Sequence, residues 1–485
     1  MQKISSLLFI PIIAMGFSSA AQGISLSATG DQRTDIVESY IVDETGTISD
    51  NAGLHNYPRL RVGLTHDTSL LSDKLNLRLE TEHDLELMDF DSNNITWRPR
   101  ALYASFAWQK AFQLRLGLMT SQWGMGLLAN NGLTDRDAQT DLFSDPRSGD
   151  RMVRAMAVIP IPAAQSVFVL SGDLMTSFQL GENGTHVVLG DDIMLPEDNA
   201  QQIVAAWKTN LGHTFQGGVY GVHRWQQSPN QSYLEITVAD LFLSTKVNLT
   251  ENWSLQAQSE TAAVFGVTDL GSTPTYPEHD VFQIGSALSI TINNKQLGFV
   301  LDGLWASGDQ NFDDNVQNGF KTDINFNQGL LLHNRLLTDM TSQSVVTASN
   351  LSLTGVPAED LNRFPNRGSI TNNKSLFPKV WYKPVTGLKV YGGALLAWTD
   401  VPLADPFQTK MTGGMPSNAF KGSPGDWLGL EIDIGLQHHF SFSKWGGMDI
   451  GLEAAWLQPG DAFINTTGDS LNTILGSRAF VSFQL

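Results

Sequence analysis

The chain has no cysteine, which removes disulfide staples, thiolate metal sites and cysteine nucleophiles together. Charge is scarce too: 16% of residues are charged, against roughly 25% in an ordinary soluble domain. What charge there is leans one way, 30 basic against 49 acidic residues for a net of -19, and that balance excludes nucleic acid as a natural partner. Long apolar runs are missing as well. Beyond the N-terminal stretch the longest is Ala155 to Ala164, ten residues containing Pro160 and Pro162, well short of the ~20 that a transmembrane helix needs. Length alone, 485 residues, would allow about three soluble domains. So little charge suits instead a chain with a large surface facing something other than water.

The N-terminus has the layout of a secretory leader. Lys3 lies in a short polar region, Leu7 to Phe17 form an apolar stretch containing Pro11, and Ser18, Ser19, Ala20 and Ala21 provide small residues for cleavage. Residues 1–21 are expected to be removed, leaving 22–485 as the mature protein. No cysteine follows for lipid attachment. An exported chain without anchor helices is either soluble or a closed barrel.

The dominant period is two. Leu75, Leu77 and Leu79 alternate with Asn76, Arg78 and Glu80. Phe112, Leu114, Leu116 and Leu118 alternate with Gln113, Arg115 and Gly117. Leu428, Leu430, Ile432, Ile434 and Leu436 alternate with Gly429, Glu431, Asp433, Gly435 and Gln437. This is a strand signature rather than a helical one. Many segments run about 9–11 residues, enough for a tilted strand to cross a membrane, and their second face is Gly, Gln, Asn, Arg, Asp and Glu, which suits a wet lumen better than a dry core. Trp108, Trp207, Trp253, Trp305, Trp398 and Trp456 sit at segment ends, where interfacial girdles lie. A soluble β-helix or sandwich is the competing reading.

Nineteen segments qualify as strands. The one near Ile324 alternates worst, because Leu330, Leu331 and Leu332 run together, and bacterial single-chain barrels have even strand numbers. The expectation is therefore all-β: a single closed antiparallel transmembrane β-barrel of about 18 strands, with 16 as the fallback. Short links such as Thr386-Gly387, Asn293-Asn294 and Asn210-Leu211-Gly212 read as periplasmic turns. Long Asp/Asn/Gly-rich stretches, among them 124–150, 307–323, 339–374 and 400–426, read as extracellular loops able to fold into the lumen. The last strand alternates Ala479, Val481, Phe483 and Leu485 with Arg478, Phe480, Ser482 and Gln484. It resembles the C-terminal signal read by the barrel assembly machinery, with Leu485 in place of the usual aromatic.

The closing hairpin carries a family resemblance. Gly425-Asp426-Trp427-Leu428-Gly429-Leu430-Glu431-Ile432-Asp433 opens it, and Leu457-Gln458-Pro459-Gly460-Asp461-Ala462-Phe463 follows its second strand. This pattern, over about 40 residues, resembles the alginate-export family of outer-membrane barrels. The Leu114–Leu118 strand with its Ser121-Gln122-Trp123-Gly124-Met125-Gly126 loop resembles that family's early strand in outline. The resemblance implies an 18-stranded pore in the bacterial outer membrane for a polysaccharide or other small solutes. That family's exporters line the pore with arginines.

Expected pore-lining residues follow from the alternation. Arg59, Arg61, Arg78, Arg115 and Arg154 fall early, and Glu260, Asp302, Glu431, Asp433, Asp449 and Glu453 fall late. Around a barrel this gradient would make a basic and an acidic wall facing each other, with a field that orients dipolar solutes; cross-lumen ion pairing is the alternative. Such a balanced lumen argues against a polyanion such as alginate. No serine-hydrolase, zincin or phosphate-loop motif occurs. His438 and His439 are adjacent and so point to opposite faces of a strand. Asp309, Asp313, Asp314 and Asp323 share a loop that could hold Ca²⁺ but reads better as solvated. No cofactor, metal or catalytic residue is expected. The function expected is a porin-like channel for passage or export of small polar or charged solutes or saccharides, in contact with outer-membrane lipid and monomeric. The alternatives are a closed barrel acting as receptor or scaffold, and an outer-membrane esterase using barrel-wall residues.

Overall fold

The structure, a computed structural model, describes residues 23–70, 74–87, 95–109, 111–133, 142–144, 149–176, 178–180, 185–189, 194, 197–210, 214–271, 275–348, 365–442 and 446–485. The expected leader, 1–21, lies outside the described residues. Eighteen long antiparallel strands form one closed sheet. In chain order they are Ile24–Val37 (β1), Gly53–Leu70 (β2), Leu75–Leu87 (β3), Ile95–Trp108 (β4), Phe112–Thr120 (β5), Arg151–Ile161 (β6), Ser166–Thr176 (β7), Asn199–Thr209 (β8) and Phe215–Gln227 (β9). They continue as Tyr233–Asn248 (β10), Ser254–Thr268 (β11), His279–Asn293 (β12), Leu297–Ala306 (β13), Asn373–Val385 (β14), Leu388–Trp398 (β15), Trp427–Ser441 (β16), Gly447–Pro459 (β17) and Ile474–Gln484 (β18). Each strand pairs with its sequence neighbours. β18 closes the ring on β1, with Asp35 opposite Arg478 and Thr29 opposite Gln484. Closure leaves no edge strand unpaired, as a hydrocarbon solvent requires.

The period-two pattern becomes an inside and an outside. On β16, Ile432, Ile434 and Leu436 are 43%, 61% and 43% exposed, while Glu431 and Asp433 between them are 0% exposed. The same outward apolar set recurs around the barrel at Leu64, Leu102, Leu174, Ile203, Phe282 and Phe299. In water that belt would be unfavourable at roughly 25 cal/mol per Å²; in a bilayer it is the required surface. Trp108 and Trp207 stand exposed near the short-turn end and Trp97, Trp225 and Trp305 near the long-loop end, the two levels of an aromatic girdle.

Two segments are instructive. The candidate strand at Ile324 is part of the loop between β13 and β14. There the leucine run leads into a π-helical turn, Leu332–Leu337, and an α-helix, Thr338–Ala348 (α1). Its leucines are buried inside the barrel rather than alternating across its wall. The second is β10, whose alternation is regular only from Leu241 on but which starts at Tyr233. Its apolar residues change phase in the middle: Leu241 and Leu243 face out, whereas Leu234, Ile236 and Val238 share the register of the inward residues Val222 and Val264.

Hydrophobic clusters lie inside the barrel on two sides; one gathers Leu127, Phe320 and Ile370 of the loops against Val204, Val222, Val238, Val264 and Val281 of the wall. Leu331, Leu332, Leu336 and Met340 pack with Val37 and Tyr40 and with Phe377, Trp381, Leu395 and Leu457 of the wall. The chain's own loop thus fills part of the long-loop end of the lumen. A short helix in the loop between β15 and β16, Pro406–Met411 (α2), packs near α1.

Candidate functional site

The lumen is built by two inward-folded loops, each held by a wall carboxylate. After β5, Trp123 stacks on Tyr220 at 5.3 Å and donates from Nε1 to Asp240 Oδ1 at 3.0 Å. The backbone N–H groups of Met125 and Leu127 both donate to Glu260. Gly124, at φ +49, lies so close that a Cβ would sit 2.4 Å from Glu260 Oε2. After β13 the same device recurs: the N–H groups of Leu330, Leu331 and Leu332 donate to Glu431 at 2.5, 2.8 and 2.7 Å. Gly329, at φ +71, leaves room for that carboxylate. These N–H groups open the helical segment, where backbone donors lack intrahelical partners and a negative charge is favoured. Farther along, Arg335 pairs with Asp35 at 2.5 Å, and Asp339 accepts hydrogen bonds from Tyr40, Ser49 and Asn51 of the loop after β1.

The eleven expected lining residues all share the inward register, yet they do not form two facing walls. The arginines are neutralised by carboxylates on neighbouring strands. Arg59 pairs with Asp31 at 2.7 Å, Arg61 with Asp84 at 2.6 Å and Arg154 with Asp173 at 2.7 Å. Arg100 and Glu82 add a further rung at 2.6 Å. The expected basic wall is therefore corrected to a ladder of lateral ion pairs, because β1, β3 and β7 contribute inward acids beside Arg59, Arg61 and Arg154. The late acids are not unpaired along a path either. Glu431 caps the inserted loop, and Asp433 is fully buried beneath it. Glu453 accepts from the Tyr391 hydroxyl at 2.7 Å and lies 3.6 Å from Arg478. Glu260 holds the other loop. Nearer the short-turn end, Asp302 meets Lys379 at 2.5 Å and Asp449 meets His439 and Gln437. There Arg115 donates to Gln113 at 3.2 Å and Arg78 meets Glu80 at 3.2 Å. That lower half, with Ser244, Gln256, Gln258, Ser289 and Thr291 also in the inward register, is polar.

Sequence reasoning missed a cavity of about 480 Å³ at the long-loop end, between β9–β12 and the loop joining β13 to β14. Val222, Leu234, Ile236, Val238, Val264 and Val281 form its wall side. Its loop side is polar, with Gln317, Thr322, Ser369 and Thr371. The charged lining is balanced: Arg224, Lys321 and Arg367 against Asp150, Asp309 and Asp323. Burial, with Arg367 nearby, brings Lys321 down to about 8, so it is cationic at pH 7. Burial pushes Asp309 up to about 6 despite hydrogen bonds from the N–H groups of Asn311 and Asn318, so its carboxylate is ionised at pH 7 as well. The signal that could have found this cavity was the phase change within β10.

Among the described residues no group of three or more His, Asp or Glu side chains is placed to hold a metal. Asp309 and Asp314 are engaged in local turns to Asn311, Asn318 and Val316.

Two searches found nothing: no family model matches the chain, and no curated protein sequence matches it. Solved structures do match in fold. OpdL of Pseudomonas aeruginosa aligns at TM-score 0.53 with 9% identity, over 95% of this chain and 98% of that one. The outer-membrane protein opdK of the same organism aligns at TM-score 0.54 with 11% identity, over 95% and 99%; it is also solved with vanillate. OccK2 (OpdF), solved in complex with glucuronate, aligns at TM-score 0.52 with 11% identity, over 95% and 96%. The chain thus shares the architecture of these porin-like outer-membrane barrels. No family model supports the resemblance of the closing hairpin to the alginate-export family.

Proposed function

We propose that this chain is a bacterial outer-membrane channel that admits small solutes from the long-loop side. The observation that carries the reading is the division of the lumen. A polar lower half leads from the short-turn end, and a cavity of about 480 Å³ lies above it beside the inserted loop. A solute would be captured in the cavity and released into the polar half, with its own gradient setting the direction of net flow. Vanillate and glucuronate, held by two structural neighbours, are the size of solute envisaged. Arg78, Arg115, Asp302 and Asp449 are the charges proposed to line the lower path. Because β18 closes on β1 within one chain, a monomer is sufficient for a pore. The apolar belt and the outward Val481 and Phe483 of β18 suit insertion by the barrel assembly machinery. No catalytic activity is part of this reading.

The filled side of the lumen favours a second reading, a closed barrel used as a surface receptor. Conductance in a planar bilayer separates the two. Discrete steps from the purified, folded chain support the channel. Their absence from a chain that is demonstrably inserted sinks it.

A further inference from the structure

We infer that the cavity facing β9–β12 binds a small neutral amphiphile, a molecule with an apolar ring body and a few hydroxyl or amide groups, in preference to an anion. This inference takes its transport role from the channel reading, but the site itself stands on three observations about the wall and its surroundings.

The first is the chemistry of the wall. In the lower half the inward faces of this barrel are polar or ion-paired, as a wet lumen requires, and over β13–β18 the inward apolar residues pack on the inserted loop. Here four adjacent strands present aliphatic side chains inward at one level. Val222 lies opposite Val238, and Val238 opposite Val264; Ile236 and Val281 both lie opposite Gly266. These valines are already largely buried, packing with Leu127, Phe320 and Ile370 of the inserted loops, so the face they turn to the cavity is apolar and suits an apolar ligand better than a charged one. The second observation is shape. A volume of about 480 Å³ falls within the range of small-molecule pockets, which combine mostly apolar walls with a few polar groups that fix orientation. Those polar groups are on the opposite side, at Gln317, Thr322, Ser369 and Thr371. A ligand with one apolar face and one hydrogen-bonding edge matches both sides at once. The third observation is charge. Arg224, Lys321 and Arg367 are offset by Asp150, Asp309 and Asp323, so the lining offers no net attraction to a carboxylate, and an anion would forfeit its hydration against an aliphatic wall.

The test is calorimetric titration of the detergent-solubilised full chain with a matched pair of probes, vanillyl alcohol and vanillate. They share a ring and differ in one charged group. At pH 7 the alcohol is expected to bind at least ten-fold more tightly. The double variant Ile236→Thr, Val238→Thr keeps β-branched shape while making the wall polar, and it is expected to weaken the alcohol about ten-fold. Heat-modifiable migration on a gel establishes that each variant is a folded barrel. Equal or tighter binding of vanillate overturns the inference, as does absence of binding by either probe to the folded wild-type chain. Selective binding of the alcohol by a chain that gives no conductance would uphold the site and refute the channel reading, so the two fail separately.

Discussion

The two sides of the long-loop end are built from the same sheet and end up doing opposite things. Over β13–β18 the inward residues accept the chain's own loop: leucines 330–332 and 336 fill the space, and Glu431, Asp35 and the Asp339 contacts pin it. Over β9–β12 the inward aliphatic residues pack with Leu127, Phe320 and Ile370 of the loops, and a cavity remains beside them. Both sides have apolar side chains pointing into a lumen. The difference is how completely the returning segments fill the space against them. A buried carboxylate aimed at backbone N–H groups holds a returning loop on each side: Glu431 of β16 takes three donors and Glu260 of β11 takes two.

Removing the strongest staple is expected to give the largest effect. Glu431→Ala leaves three backbone donors buried without an acceptor, at about 1–3 kcal/mol each, which the loop relieves by leaving the lumen. Single-channel conductance should rise several-fold while ion selectivity changes little, because the carboxylate faces the loop and not the path. A shift toward anions at unchanged conductance would instead place Glu431 on the path. Glu260→Ala should act in the same direction but less, below about two-fold, since Trp123 keeps its stacking on Tyr220 and its bond to Asp240. An effect exceeding that of Glu431→Ala would invert the ranking of the two loops.

The smallest effect concerns pH. Burial holds Asp309 at about 6. Its folded value lies above the ordinary carboxylate value, so protonation favours the folded loop. That contribution is complete below about pH 4 and is lost as pH rises through 6. The same protonation leaves Arg224, Lys321 and Arg367 facing only Asp150 and Asp323. Vanillate binding should therefore improve modestly from pH 7.5 to pH 5, and Asp309→Asn should show the pH 5 behaviour at pH 7.5. A pH-independent affinity ratio between vanillate and vanillyl alcohol would remove Asp309 from the cavity's charge balance.

How much of this was legible beforehand follows from which interactions are local. Alternation is a property of consecutive residues, so the barrel and the inward register of Glu431 or Arg61 could be read from the chain, and the broken alternation at Leu330–Leu332 removed a false strand. Partners were not legible. Arg61 meets Asp84 only once β2 and β3 are in register, and Glu431 meets Leu330–Leu332 across 99 to 101 residues. A gradient of charge along the sequence therefore suggested facing walls where the fold makes lateral pairs and loop staples. The cavity was hidden for a different reason: β10 reverses its apolar phase between Val238 and Leu241, so half of it did not look like the strand it is.

The account's central claim is that the inserted loop narrows a conducting pore rather than sealing a closed one. Planar-bilayer recording of the wild-type chain beside Glu431→Ala tests it most directly. The account predicts discrete openings in the wild type and several-fold larger openings in the variant. Silence from the inserted wild type, with current only from the variant, would contradict it and identify the loop as a plug in a barrel that serves as a receptor.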